Sequence, residues 1–208
     1  MNFDITSMKM RAKALSNETK PSPMVGGFIM VAMNWIAFCL MFLIEQTWAQ
    51  ILLAVFALLS SMIAVSFDWS CLSITREEKP TIGKIFDCFA KRQFTVVLAC
   101  ILKPMIIFVM FMLMYVPGII AFYWLRPLNY IIRDNPDINI FSAIKKSIAM
   151  MKGHKLELFK LDIALIGWHA LSLFTGYIAG IYVYPYTGVI YAEYYEHLKG
   201  QAELFATM

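Results

Sequence analysis

Charge is scarce in this chain: Lys, Arg, Asp and Glu make up 15% of its 208 residues, where a soluble domain carries about 25%. With 60% of positions hydrophobic and a mean hydropathy of +0.65, too few polar side chains remain to cover a water-facing surface, and an ordinary soluble domain is excluded. Cysteine is sparse as well. Cys39 and Cys100 fall in apolar runs and Cys71 and Cys88 in an expected polar loop, with no CxxC spacing, which sets aside a disulfide framework or zinc site and leaves them as packing residues. Catalytic signatures are missing too: there is no GxSxG, GxxxxGK[ST] or HExxH, and no paired carboxylates in a confirming context. The expectation is a protein that is not an enzyme and needs no cofactor or metal. Any ATP-driven role would draw on a separate ATPase subunit.

What the sequence has in quantity is long apolar runs. Those at 24–44, 48–67, 94–116 and 158–180 are long enough for a hydrocarbon core of about 30 Å. Two shorter runs, 118–132 and 181–195, follow the third and fourth directly. The first run is too long for the apolar core of a cleavable signal and no small-residue cleavage site follows it, so we expect it to stay in the membrane.

Sixteen of the 18 basic residues fall in four alternate segments: before the first run, between the second and third (Arg76 to Arg92), between the short fourth and the fifth (Arg133 to Lys160), and in the tail at Lys199. The connections near Glu45, Pro117 and 181–187 contain none. Because cytoplasmic loops carry the excess of Lys and Arg, this predicts a polytopic membrane helical bundle, all-α, with six crossings and both termini cytoplasmic. The net charge of +4 then reflects that bias and an attraction to membrane lipids, and calls for no nucleic acid.

Each pair of crossings follows a cytoplasmic segment with helical amphipathic spacing: Ile5, Met8, Ala12 and Leu15; then Ile82, Ile85, Phe86 and Phe89; then Ile138, Phe141, Ile144, Ile148 and Met151. One integral membrane domain over 1–208 would thus contain three tandem helical hairpins, about 5–78, 80–135 and 137–198, with proline-marked breaks at Val116, Pro117, Gly118 and at Tyr184, Pro185, Tyr186. Any hairpin protein with amphipathic linkers shares this look. Internal repeats are nonetheless common in transporters, where sites form at repeat interfaces near the midplane.

A specific string runs through the C-terminal half: Val116, Pro117, Gly118, Ile119, Ile120; Tyr130 with Asp134, Asn135, Pro136; Ala143, Ile144, Lys145, Lys146, Ser147; Met151, Lys152, Gly153, His154, Lys155; Phe159, Lys160, Leu161, Asp162; Gly167, Trp168; Thr175, Gly176; Tyr184, Pro185, Tyr186; and Tyr194, Tyr195. It resembles the bacterial integral-membrane family labelled domain of unknown function 975. The resemblance covers about 116–198 and reaches the N-terminal half by topology alone. It implies a multi-pass protein of the bacterial plasma membrane, and brings no catalytic or ligand residues with it.

Charged side chains inside a bilayer cost about 2.5 to 3.5 kcal/mol each and are functional candidates by default. Lys103, beside Pro104, and Arg126, beside Pro127, are the two basic residues outside the cytoplasmic segments. Arg126 stands nine residues after Pro117 and Glu193 beside the position nine after Pro185, so the repeat suggests that Arg126 and Glu193 pair inside the bundle; the plainer reading is a structural ion pair or a snorkelling side chain. Asp162 and His169, seven apart, share a helical face, as a protonation relay or as an interhelical hydrogen bond. Glu193 and His197 alone are too few for a metal site. His154 and Lys155 after Gly153 could contact a lipid phosphate, or simply follow a helix C-cap. Asn34 is expected to link helices, Gly26, Gly27, Gly167, Gly176 and Gly180 to allow close packing, and Trp48, Trp69, Tyr115 and Tyr182 to form interfacial belts.

These features point first to a small transport or permeability component. The alternative is a non-catalytic membrane module serving immunity, envelope stress, or the binding of lipid or another membrane protein. A lipid-modifying enzyme using His154 or His169 would lack a catalytic constellation.

Overall fold

The computed structural model describes residues 5–18, 22–41, 47–76, 78, 93–135 and 137–207. Within them the chain is all-α, with nine helices and no strand: α1 (Ile5–Glu18), α2 (Ser22–Met41), α3 (Thr47–Thr75), α4 (Gln93–Leu113), α5 (Tyr115–Trp124), α6 (Leu128–Asp134), α7 (Ile140–Met150), α8 (Lys155–Phe174) and α9 (Gly180–Thr207). The second amphipathic segment, Ile82 to Phe89, lies outside the described residues.

Among the described residues, two helical segments are long and apolar enough to cross a membrane, Gln50–Thr75 and Phe94–Leu113, and Met24–Ala37 is a shorter apolar one. A core helix of a soluble protein passes the same length test but is mostly buried. Here 22% and 17% of the two windows are buried, and Ile51, Leu52, Val55, Met105, Phe108 and Met112 stand exposed. Exposed apolar side chains in such number mark a surface that faces a membrane or another protein.

α9 is the hub of the bundle, packed against α2, α3, α1 and α8. The buried core runs through Leu72, Leu128, Ile131, Ile132, Met151, Leu161, Leu165 and Ile190. Close approach of α2 to α9 depends on Gly27, where a Cβ would collide with the Ile181 carbonyl oxygen and come within 3.0 Å of the Pro185 ring. Pro185 lies inside α9 and has no N–H to give to that same carbonyl one turn back. A glycine therefore presses against the oxygen that the proline leaves free.

Neither chain reversal sits at its expected proline. The first falls at Met114, which is extended (φ −164°, ψ 150°). Pro117 comes third in α5, within the first turn, where a missing N–H breaks no helical bond. Gly118 then lies under the Phe111 ring, which a Cβ would strike. The second reversal is the turn at 175–179, made by two successive left-handed residues, Gly176 (φ 59°) and Tyr177 (φ 66°), with Tyr177 N–H donating to the Ser172 carbonyl at 2.7 Å.

α1 buries Ala12 and Leu15 as its spacing predicts. α7 buries Ile140, Ala143 and Ser147 and leaves Phe141 65% exposed, so its inward face is rotated away from the one drawn through Phe141. Among the expected packing glycines, Gly27 and Gly180 are tightly enclosed, a Cβ on Gly167 would meet nothing within 4 Å, and Gly176 serves the turn. Asn34 bonds its own helix at the Met30 carbonyl. Trp69 is buried at 6% exposure, away from any interfacial belt.

Candidate functional site

The short fourth apolar run is a broken helix. α5 ends at Trp124, α6 begins at Leu128, and Leu125, Arg126 and Pro127 form the turn between them. Pro127 cannot continue the N–H ladder, and the Arg126 N–H reaches the Tyr123 carbonyl instead, at 3.3 Å. The Trp124 carbonyl, left at the end of α5, accepts from the buried Ser147 hydroxyl at 2.6 Å. That contact sets α7's rotation and turns Phe141 outward.

The break holds Arg126 among aromatic rings. Its guanidinium carbon lies 3.8 Å from the centre of the Tyr191 ring and 5.7 Å from that of Phe122, within cation–π range. The Tyr191 hydroxyl donates to Asp162 Oδ1 at 2.7 Å. A phenol bonded to a carboxylate gains electron density in its ring, so Asp162 strengthens the hold on Arg126 through Tyr191.

A second acid approaches from α3. Asp68 accepts from Asn129 Nδ2 at 2.6 Å, and the Asn129 carbonyl accepts from Trp69 Nε1 at 2.8 Å, which ties α6 to α3. Asp68 and Asp162 both attract Arg126, and Lys103 in α4 lies within the field of Asp68 and Arg126. Two bases and two acids from α3, α4, α8 and the break thus balance one another in charge. In a low-dielectric interior such balance is the condition for keeping ions at all. Beneath Arg126 is a void of about 10 Å³ bordered by Tyr130, Leu158, Tyr191 and Tyr194, room for about one water.

The structure links Arg126 to Asp162 through Tyr191, and Lys103 lies within the field of Arg126. Glu193 pairs with Arg11 of α1 at 3.1 Å, which corrects the expected Arg126 and Glu193 pair. Residues two apart on a helix point about 200° apart, so with Tyr191 turned toward Arg126, Glu193 must face elsewhere. His169 is exposed and feels the charges of Arg126 and Asp162, while Asp162 accepts from the hydroxyls of Tyr191 and Tyr123. His154 Nδ1 lies 3.0 Å from Glu157, and Lys155 Nζ 4.3 Å from the Trp124 ring. Both candidate head-group contacts are thereby engaged within the protein. No cluster of three metal-ligating side chains occurs among the described residues.

A second polar cluster ties α6 and α9 to Arg76, just beyond α3. Asp134 Oδ2 accepts from Arg76 Nη2 at 2.8 Å, Lys199 Nζ at 2.8 Å and the Tyr195 hydroxyl at 3.0 Å. Arg76 Nε also donates to Glu196 at 2.8 Å. One helical turn below Asn129, Arg133 donates to the Trp69 carbonyl and to Ser73 Oγ. Burial alone would raise the Asp134 carboxyl, but the hydrogen bonds from Arg76 and Lys199 outweigh it and hold the group down to about 2. The bond to Asp134 pushes the Arg76 guanidinium above its ordinary range.

Sequence reasoning overlooked Asp68, Asn129 and Tyr191. Asp68 had a signal, being the one charged residue in the 29 of α3. Tyr191 had none, since an aromatic near a helix end reads as an interfacial anchor.

A family model described as "Protein of unknown function (DUF975)" matches residues 99–202. That stretch contains Lys103, Arg126, Asn129, Asp134, Asp162 and Tyr191, and excludes Asp68, Arg76 and Arg11. No curated protein and no solved structure matches the chain.

Proposed function

We propose, on the premise that this chain belongs to the family Protein of unknown function (DUF975), that it is a non-enzymatic six-crossing protein of the bacterial plasma membrane, with both termini cytoplasmic, acting as a small transport or permeability component. The observation that carries this reading is Arg126 in a helix break, set against the Tyr191 ring whose hydroxyl donates to Asp162. Broken helices at membrane depth are tolerated where their freed backbone groups find partners or line a cavity, and transporters use such breaks to hold charged or polar solutes. The two apolar helices and the alternating basic segments support the membrane placement.

A second reading has its own support. The void below Arg126 is one water in size, too small for a solute in this conformation, and the Asp134 cluster rigidifies the adjoining end. These fit a non-catalytic membrane module serving immunity, envelope stress, or the binding of another membrane protein.

The test compares cells carrying wild type, Arg126→Ala, Arg126→Lys or Asp162→Asn for sensitivity to a panel of small amphipathic compounds, with folded yield in detergent scored alongside. The transport reading expects Arg126→Ala and Asp162→Asn to stay folded and lose at least tenfold in protection, with Arg126→Lys intermediate. Folded variants that all protect like wild type would sink it and leave the second reading standing.

A further inference from the structure

The corner between α7 and α8 joins an exposed apolar stripe to a group of exposed lysines. On α8, Leu156, Phe159, Ile163 and Ile166 are exposed, at 72%, 47%, 53% and 65%. Their spacing of three and four places them in one stripe along the helix, about 15 Å long at 1.5 Å per residue, which is the depth of one bilayer leaflet. Lys160 is exposed within that stripe, and Lys152 is exposed in the turn that precedes α8. Across the corner, α7 presents exposed Lys145 and Lys146 beside exposed Phe141; Lys146 donates to Asn135 Oδ1 at 3.0 Å. The acid in the first turn of α8, Glu157, lies 3.0 Å from His154 Nδ1.

We propose that this corner binds an anionic phospholipid of the cytoplasmic leaflet, with Lys152 and Lys160 on its phosphate and the stripe of Leu156, Phe159 and Ile163 along its acyl chain. The inference rests on the membrane placement proposed above and adds the ligand class and the residues. A lysine among lipid-facing apolar residues extends its ammonium toward the head groups, and clustered basic residues at the cytoplasmic surface select anionic ones. An acidic protein would meet the lysines but find no use for an apolar stripe one leaflet deep, whereas a phospholipid matches both ends. The site lies beside Lys155 and His154, whose own side chains are held by Trp124 and Glu157.

The experiment is native mass spectrometry of the full chain in neutral detergent, titrated with phosphatidylglycerol or phosphatidylcholine of identical acyl chains. Wild type should bind phosphatidylglycerol more tightly. The preference should fall about fivefold for each of Lys152→Gln and Lys160→Gln, the equivalent of about 1 kcal/mol per basic residue near an anionic surface. Lys13→Gln, removing an exposed lysine of α1, should leave it unchanged. Added salt should weaken the wild-type preference, which reads the same contact without any substitution. Equal affinity of wild type for the two lipids, or a preference that survives in the double variant, overturns the site. Alkaline carbonate extraction separates the two readings: release of the wild-type chain from membranes overturns the membrane placement and the lipid site together, and retention without a head-group preference overturns the lipid site alone.

Discussion

The Ser147 hydroxyl donates to the Trp124 carbonyl at 2.6 Å, so a side chain of α7 supplies the hydrogen bond that the broken helix cannot make for itself. Twenty-three residues separate donor and acceptor, and the contact couples the amphipathic helix to the turn that holds Arg126. It also explains a serine at a wholly buried position of α7, where an apolar residue would satisfy the helix pattern better.

Ser147→Ala should leave the Trp124 carbonyl buried and without that donor. An unsatisfied buried carbonyl costs about 1 to 3 kcal/mol, so thermal unfolding in detergent should show a clear loss of stability, with Ser147→Thr closer to wild type. An unchanged midpoint for Ser147→Ala would mean that a water or a shifted backbone replaces the hydroxyl.

Asp134 makes a pH-dependent contribution of known sign. Its carboxyl is held down to about 2 against an ordinary 3.8, so the stabilisation is fully present above about pH 4 and is lost as the pH falls toward 2. Asp134→Asn should flatten that acid limb and, at neutral pH, lower stability by roughly 2 kcal/mol as Arg76 and Lys199 lose a charged acceptor. Unfolding followed by tryptophan fluorescence across this range measures both effects. An acid limb identical to that of wild type would assign the pH dependence to another carboxylate.

Gly27→Ala and Gly167→Ala make a matched pair. At Gly27 the new methyl runs into the Ile181 backbone, and at Gly167 it meets nothing within 4 Å. Forced separation of packed helices costs about 1 to 3 kcal/mol, so the first should destabilise the bundle measurably. The second should be neutral or slightly stabilising, because alanine favours helix. Equal effects would mean that α2 does not lie against Ile181 as described.

The parts of the fold that repeat at a helical period were legible in the sequence, and the parts decided by one atom were not. Ala12 and Leu15 could be placed on α1's inner face because a face is a sum over several residues. Pro117 and Pro185 misled because proline marks a missing N–H, which fits the first turn of a helix or a helix whose neighbour fills the gap, as Gly27 does, as readily as it fits a reversal. Lys103, Arg126 and Asp162 stood out by their cost in an apolar run, and Arg126 and Asp162 both engage Tyr191. The partner of Arg126 was hidden because an aromatic ring carries no formal charge. A repeat-based alignment of Pro117 with Pro185 then pointed to Glu193, on the wrong side of α9.

Arg76, Asp134 and Lys199 converge on one carboxylate from positions 58 and 65 residues apart along the chain. During synthesis the arginine emerges first, the acid second and the lysine last, after every other helix has been made. The ties at Asp134 therefore form in two stages: Arg76 can pair once α6 has been made, and Lys199 joins only when α9 follows.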